Sequence, residues 1–158
     1  MKKIRLGILW IVAITVIGAC GQKEVMQDNV IHIEETNQVE EYITTIELIV
    51  DQHLEVNATL TYVGEKAEQM IYHGGEIFHY EIVQQDGDFE YTSPMNLPLL
   101  TTTLAQNEAH SVTFDDIKLR DLVPGTYEFS IIANFSLNDD FSPNIKVPVS
   151  AILTIEEE

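Results

Sequence analysis

The sequence contains few of the residues on which several classes of protein depend. Its single cysteine, Cys20, excludes a disulfide within one chain. Basic residues are scarce too: 8 Lys and Arg stand against 26 Asp and Glu, so the formal net charge is −18. Because no basic patch is available to neutralise phosphates, we expect no binding to nucleic acid. The excess negative charge favours solubility of the folded protein.

Motifs for catalysis and cofactor binding are also missing. There is no Gly-x-Ser-x-Gly nucleophile motif and no glycine-rich phosphate loop. No two histidines have the His-x-His or His-x-x-x-His spacing of a zinc site. The five histidines are His32, His53, His73, His79 and His110. We predict no enzymatic activity, cofactor, metal site or small-molecule substrate, and we place His79 on the polar face of a strand and His73 in a turn.

Two pairs of aspartates offer the only calcium candidates that the sequence suggests. Asp115-Asp116 and Asp139-Asp140 lie at the predicted ends of strands. Carboxylates there could bind Ca²⁺ together with backbone carbonyl groups. Since no Asp-x-Asp-x-Asp-Gly loop is present, we favour the interpretation that both pairs are solvated loop charges.

The first 20 residues have the pattern of a secretion signal. A basic stretch, Met1–Arg5, precedes the uncharged and largely apolar run Leu6–Ala19. A helix needs about 20 apolar residues to cross a bilayer, so this run is too short to span one. Its length and its basic flank are typical of a secretory signal peptide.

The apolar run ends at Ile17-Gly18-Ala19-Cys20, which resembles the bacterial lipobox. The resemblance implies a diacylglycerol thioether and an N-terminal acyl chain on Cys20, with cleavage between Ala19 and Cys20. Two or more acyl chains anchor a protein stably, whereas one is marginal. We therefore expect a protein held by lipid on the extracytoplasmic face of the cell membrane.

The signal divides the chain into three predicted parts. Residues 1–19 are the signal peptide, residues 20–41 are the lipidated cysteine with an acidic tether, and residues 42–158 are one folded domain. Without residues 1–19 the net charge is −21, from 5 basic and 26 acidic residues. The segment Val30–Ile33 could instead form a short edge strand, which leaves the domain boundary open.

Strict alternation of apolar and polar residues predicts β-strands in the domain. The clearest apolar faces belong to the last two strands: Tyr127, Phe129, Ile131, Ala133, Phe135 and Leu137, then Ile145, Val147, Val149, Ala151, Leu153 and Ile155. Earlier strands show the same pattern at Leu54–Tyr62 and Phe78–Ile82. Seven or eight strands in about 115 residues favour an antiparallel immunoglobulin-like β-sandwich, with a small β-barrel as the alternative.

Turn and edge signals refine this picture. Asp86-Gly87 predicts a hairpin turn. Pro124-Gly125 predicts a type II turn, which requires positive φ at the glycine. Pro148 lacks an N–H group, so its strand is predicted to lie at an edge or to carry a bulge.

The order of these elements resembles a known family. The Pro-Gly-Thr-Tyr entry to the long strand is frequent in bacterial immunoglobulin-like modules. The elements that precede it are His53–Leu60, Tyr72–Gly75, Phe78–Val83 and Leu104–Phe114. Over residues 44–137 this order is similar to the intracellular proteinase inhibitor family (BsuPI type). The resemblance implies a small all-β fold and inhibition of an intracellular serine protease, whereas the secretion signal directs this chain outside the cell.

The functional hypothesis that follows is a non-catalytic binding or structural module at the cell surface. Its partners would be the membrane, through the lipid on Cys20, and a protein at the surface. The alternative is an extracytoplasmic serine proteinase inhibitor. Its reactive loop would lie within Thr92–Thr103, where Pro94 and Pro98 stiffen the chain.

Overall fold

The computed structural model describes the chain in five segments. The described residues are 30–51, 53–94, 98–114, 122–140 and 144–156. Within them the backbone forms ten strands and no helix, so none of these segments offers a helix that could cross a membrane. The predicted signal, the predicted lipid attachment site Cys20 and the pair Asp115-Asp116 lie outside the described residues.

The ten strands of the described segments form two antiparallel sheets that pack as a sandwich. The strands are β1 (Ile31–Val39), β2 (Tyr42–Val50), β3 (Leu54–Tyr62), β4 (Glu68–His73), β5 (Phe78–Gln84), β6 (Glu90–Thr92), β7 (Leu100–Ala105), β8 (Ala109–Phe114), β9 (Gly125–Ser136) and β10 (Asn144–Ile155). The smaller sheet has the order β1-β2-β3-β8. In the larger sheet β9 is central, with β10 on one side and both β5 and the end of β4 on the other. β6 then extends β5, and β7 extends β4.

The predicted antiparallel β-sandwich is thus confirmed, with more strands than expected. Alternation places one apolar face of each central strand in the core. In β9 the residues Tyr127, Phe129, Ile131, Ala133 and Phe135 are buried, as predicted. Leu137, which follows β9, is only partly buried.

β1 differs from the sequence-based expectation. Its nine residues lie in the range assigned to a tether, and only a short strand near Val30–Ile33 was considered there. β1 pairs with β2 along its whole length, from Ile31 opposite Val50 to Val39 opposite Tyr42. Its inward positions include Glu35 and Asn37, so it has no regular apolar face. Backbone pairing with β2 and the partial burial of Ile33 and Val39 hold it. Apolar alternation does not reveal such a strand, because Glu35 and Asn37 interrupt the pattern.

β10 is an edge strand, in agreement with the prediction from Pro148. Its partner is β9, and Pro148 lies opposite Ile132. The carbonyl oxygen of Pro148 accepts a hydrogen bond of 2.6 Å from the Asn37 side chain of β1, so it points away from β9. In an antiparallel strand the nitrogen and the carbonyl of one residue face the same side. The missing N–H of Pro148 therefore costs no bond to β9.

Two turns were predicted, and only the first is found as predicted. The β5–β6 hairpin turns at Gln85–Asp88, which confirms the signal at Asp86-Gly87. Gly125 has positive φ, as predicted, but its value is +153°. A type II turn needs about +80° at that position, so the turn type was wrong. Gly125 instead begins β9 and pairs with Ile155.

The entry to β9 is fixed by a side chain. The Tyr127 hydroxyl donates a 2.8 Å hydrogen bond to the carbonyl of Val123, four residues earlier. This bond has the geometry of the tyrosine corner found in immunoglobulin-like sandwiches. Burial raises the pKa of the Tyr127 hydroxyl, which therefore stays a neutral donor at physiological pH.

Candidate functional site

The outer face of the four-stranded sheet carries a continuous polar row. Strand register places Glu34 of β1 opposite Glu47 of β2, Glu47 opposite Asn57 of β3, and Asn57 opposite Thr113 of β8. Since residues two apart in a strand share a face, His32 lies beside Glu34 on this same surface. Three consecutive strands and β8, which is distant from them in the sequence, thus bring together an imidazole, carboxylates, an amide and a hydroxyl.

Three of these side chains converge to form what we call the His32 cluster, which consists of His32, Glu34 and Glu47. One potential ligand atom from each residue lies within 4.8 Å of the other two. The His32 Nε2 and Glu47 Oε1 atoms are 2.7 Å apart. His32 and Glu34 are exposed, and Glu47 is half-buried, so solvent and ions reach the cluster.

Neighbouring side chains orient the Glu47 carboxylate. The Asn57 amide nitrogen donates to Glu47 Oε2 at 3.2 Å and to Glu55 Oε1 at 2.8 Å. The hydroxyl of Thr113 donates to Asn57 Oδ1 at 2.6 Å, which fixes the amide with its nitrogen toward the carboxylates. Glu47 Oε2 is therefore engaged toward β3, and Oε1 faces His32.

The side chains of the His32 cluster are of the types that can bind a metal ion. An imidazole nitrogen and two carboxylates are ligands of divalent transition metals. Without a metal, the contact between His32 and Glu47 is a hydrogen bond between exposed groups, which contributes little to stability. Among the described residues this is the group of His, Cys, Asp and Glu whose atoms converge closely enough to hold an ion.

His73 does not lie in a turn, so that prediction was wrong. It is the last residue of β4 and is buried between the strands. Its Nδ1 faces the carbonyl of Gly74, which can only accept, so Nδ1 carries the proton. Nε2 then accepts from the Thr102 hydroxyl at 2.9 Å. Burial lowers the pKa of His73 below its usual 6.5, and the Gly74 carbonyl opposes this shift.

The remaining sequence-based candidates do not come together. His79 is half-buried on the outward side of β5, opposite Ile132, and His110 lies on the edge strand β8. Asp139-Asp140 lies in an exposed turn after β9. The proposed reactive loop Thr92–Thr103 overlaps two strands, because β6 ends at Thr92 and β7 begins at Leu100. The segment that connects these strands is therefore residues 93–99.

Little in the sequence predicts the His32 cluster. No local spacing links His32 to Glu47, and both His32 and Glu34 were assigned to the tether. The available signal was the alternation of His32 and Glu34 with apolar Ile31 and Ile33. Only the pairing of β1 with β2 shows that Glu47 faces them. A scan against protein-family models and a search of curated proteins found no match to this chain.

Proposed function

We propose that this chain is a surface lipoprotein, anchored through lipid on Cys20, whose β-sandwich acts as a non-catalytic binding or structural module. The observation that carries the proposal is the sequence Ile17-Gly18-Ala19-Cys20 at the end of a short apolar run. The all-β fold that follows is compatible with a binding module. Fold alone does not define an activity, so the proposal rests on the anchor and on the surfaces that it leaves accessible.

The distance between anchor and sandwich is short. β1 begins at Ile31, eleven residues after Cys20. A fully extended chain covers at most about 3.6 Å per residue, so the start of β1 would lie within about 40 Å of the lipid. The tether first inferred from residues 20–41 would have had a longer reach. The sandwich would thus stay close to the membrane surface.

The proposed anchor would bring one end of the smaller sheet nearest the membrane. Ile31, Val50 and Leu54 lie at one end of the smaller sheet, and Val39, Tyr42 and Tyr62 lie at the other. The second end would point outward. The loops at this end carry exposed acidic residues, including Glu40, Glu41, Glu65 and Glu108. An outside partner would therefore meet this acidic end first.

Charge makes docking of the sandwich on an anionic membrane unfavourable. The part of the chain after residue 19 carries a net charge of −21. At physiological salt the Debye length is about 8 Å, so repulsion acts when the sandwich approaches the headgroups closely and fades beyond. The lipid would hold the protein while its charge keeps the sandwich presented to partners.

The anchor is tested in the full chain expressed in a bacterium. We expect Cys20→Ala to move the protein from the membrane fraction to the soluble extracytoplasmic fraction or to leave it unprocessed. Gln22→Ala, just outside the motif, is the matched control and should stay in the membrane. Mass spectrometry of the mature N-terminus should show diacylglycerol on Cys20. An unmodified cysteine, or cleavage at another site, would refute the proposal.

A second candidate function is extracytoplasmic inhibition of a serine protease. The resemblance to the BsuPI-type family suggests it, and one feature of the structure favours it. Leu99 and Leu100, next to Pro98, are 47% and 43% exposed. An exposed apolar side chain on a stiffened segment is what a hydrophobic protease pocket would bind.

The inhibitor hypothesis is tested with the full chain in detergent against subtilisin-like proteases. We expect Leu99→Asp to weaken inhibition strongly, because a charge would enter an apolar pocket. Val123→Asp alters another exposed apolar residue, 58% accessible and outside this segment, and should have no effect. Absence of inhibition by the unmodified protein would reject this candidate and leave the binding module standing.

A further inference from the structure

We propose that the His32 cluster is a binding site for a divalent transition metal of the zinc class, on the outer face of the four-stranded sheet. Its ligands would be His32 Nε2 and one carboxylate oxygen each from Glu34 and Glu47. This inference is independent of the lipid anchor, because all three ligands belong to the sandwich itself.

The geometry requires only side-chain movement. Zinc binds imidazole nitrogen at about 2.0–2.1 Å and carboxylate oxygen at about 2.0–2.2 Å, so tetrahedral ligand atoms lie about 3.4 Å apart. In the cluster, Nε2 and Oε1 of His32 and Glu47 are 2.7 Å apart, and all three ligand atoms lie within 4.8 Å. The first distance must widen slightly and the longest must shorten. Exposed side chains on a paired sheet can make such rotations without moving the backbone.

The strand register places negative charges close together at this site, which favours the binding of a cation. Glu34 and Glu47 are directly opposite each other, and like charges in that position destabilise a sheet. Glu55 adds a third carboxylate through its hydrogen bond to the shared Asn57 amide. Together these carboxylates create repulsion on the outer face of the sheet. A divalent ion bound between His32, Glu34 and Glu47 would convert it into attraction.

The partners of Glu47 distinguish the site from a set of freely solvated acids. Metal ligands are commonly oriented by a second set of hydrogen bonds. Here Asn57 binds the Oε2 atom of Glu47 and leaves Oε1 directed at His32, while Thr113 fixes the Asn57 amide. The orienting residues come from β3 and β8, so the folded sheet supports the carboxylate before any metal arrives.

The donor set selects the class of metal. Calcium takes six to eight oxygen ligands, and magnesium binds oxygen with several waters retained. A site with an imidazole and two carboxylates instead suits zinc and its neighbours, copper and nickel. Three protein ligands leave an open position for water or for a ligand from a partner. The metal would thus sit on an accessible surface near the end of the sandwich that holds Ile31.

The experiment measures Zn²⁺ binding to the full chain in detergent, by equilibrium dialysis with millimolar Mg²⁺ present. The magnesium occupies sites made of oxygen ligands alone. Without it, Zn²⁺ would also bind weakly to other carboxylates of this chain, whose net charge is −18. We expect about one Zn²⁺ per chain to resist this competition. His32→Gln, Glu34→Gln and Glu47→Gln should each weaken binding at least about tenfold, and Asn57→Ala by a similar factor. His79→Gln, in the other sheet, is the matched control and should bind as the unmodified protein does.

Folding and ligand identity are checked separately. In chelator the exposed His32→Gln variant should melt close to the unmodified protein, and Glu34→Gln should melt at the same or a higher temperature because it removes a like-charge pair. These melts exclude loss of fold as the cause of weaker binding. Zinc X-ray absorption of the unmodified protein should show imidazole scattering that His32→Gln removes. The proposal is overturned if Mg²⁺ abolishes Zn²⁺ binding, or if His32→Gln and His79→Gln bind Zn²⁺ equally well.

Discussion

β9 and β1 are both extended strands, but the inward side chains of β9 are buried in the core and those of β1 are not. β9 has paired neighbours on both sides, and its inward side chains are buried from Tyr127 to Phe135. β1 pairs only with β2 among the described strands, and none of its residues is buried. The difference shows that apolar alternation reports burial between two layers, whereas an edge strand with few inward apolar residues depends largely on backbone pairing with its neighbour.

This difference also explains where candidate ligands are found. Positions on β9 are constrained by close packing, so a polar substitution there is costly. β1 lies outside that constraint and can display His32 and Glu34 to solvent. The described part of the molecule thus separates stability, concentrated around β9, from candidate binding chemistry, concentrated on β1.

The sharpest test compares one apolar truncation in each strand. Phe129→Ala in β9 removes a side chain that is 2% exposed, and we expect a loss of about 3–5 kcal/mol in the free energy of unfolding. Ile33→Ala in β1 removes a partly buried side chain and should cost less than about 2 kcal/mol. Denaturant unfolding of the full chain in detergent measures both. Equal losses would contradict the distinction between the two strands.

The start of β9 should be nearly as sensitive to substitution. Gly125 has a φ of +153°, and a Cβ atom there would lie 2.5 Å from the Gln84 side-chain nitrogen. Gly125→Val should therefore cost about 1–3 kcal/mol through backbone strain, with a further cost from displacing Gln84. Gly87→Ala is the comparison, since its Cβ would meet only the flexible Gln84 side chain and its φ is not positive. Matching unfolding midpoints for the two variants would remove the argument.

The contrast between β9 and β1 also marks the limit of prediction from sequence. The strands that supply most of the core were predictable because residues such as Phe129 of β9 and Val149 of β10 alternate with polar neighbours over long stretches. β1 was largely missed because Glu35 and Asn37 occupy its inward positions. The His32 cluster was missed with it, since its geometry depends on the register between β1 and β2. The turn type at Gly125 failed because the glycine serves strand pairing with Ile155 rather than a turn corner.

Acid should weaken the region around β4, beside the end of β9. Because burial lowers the pKa of His73, the folded protein resists protonation that the unfolded chain accepts. The resulting stability is complete above the unfolded pKa of about 6.5 and is lost as the pH falls through the lower folded-state value. His73→Gln should therefore lose less stability than the unmodified protein between pH 7 and the acid range. Parallel pH profiles of the unfolding free energy would show that His73 does not contribute.

A smaller effect should follow from removing the side-chain hydrogen bond between β1 and β10. Asn37 of β1 donates its side-chain hydrogen bond to Pro148 of β10, the neighbour of β9. Asn37→Ala should cost about 0.5–1.5 kcal/mol, the usual net contribution of one hydrogen bond. Gln38→Ala removes only a local bond to Glu40 and should cost less. Hydrogen exchange of β1 amides should accelerate in the Asn37 variant, and unchanged exchange would indicate that β1 is held by β2 alone.

The smallest expected effect is a gain in stability, and it concerns a buried hydroxyl of β2 beside β1. Thr44 of β2 lies between Asn37 of β1 and Leu60 of β3 and is fully buried, yet its hydroxyl has no hydrogen-bond partner among the described residues. Valine has nearly the same shape without the hydroxyl, so Thr44→Val should stabilise the fold by up to about 1 kcal/mol. Thr45→Val on the outer face removes a 3.0 Å bond to Thr36 and should be neutral or slightly destabilising. If Thr44→Val destabilises the protein instead, the hydroxyl has a partner in the folded state, and the core beside the edge strand is more polar than the core around β9.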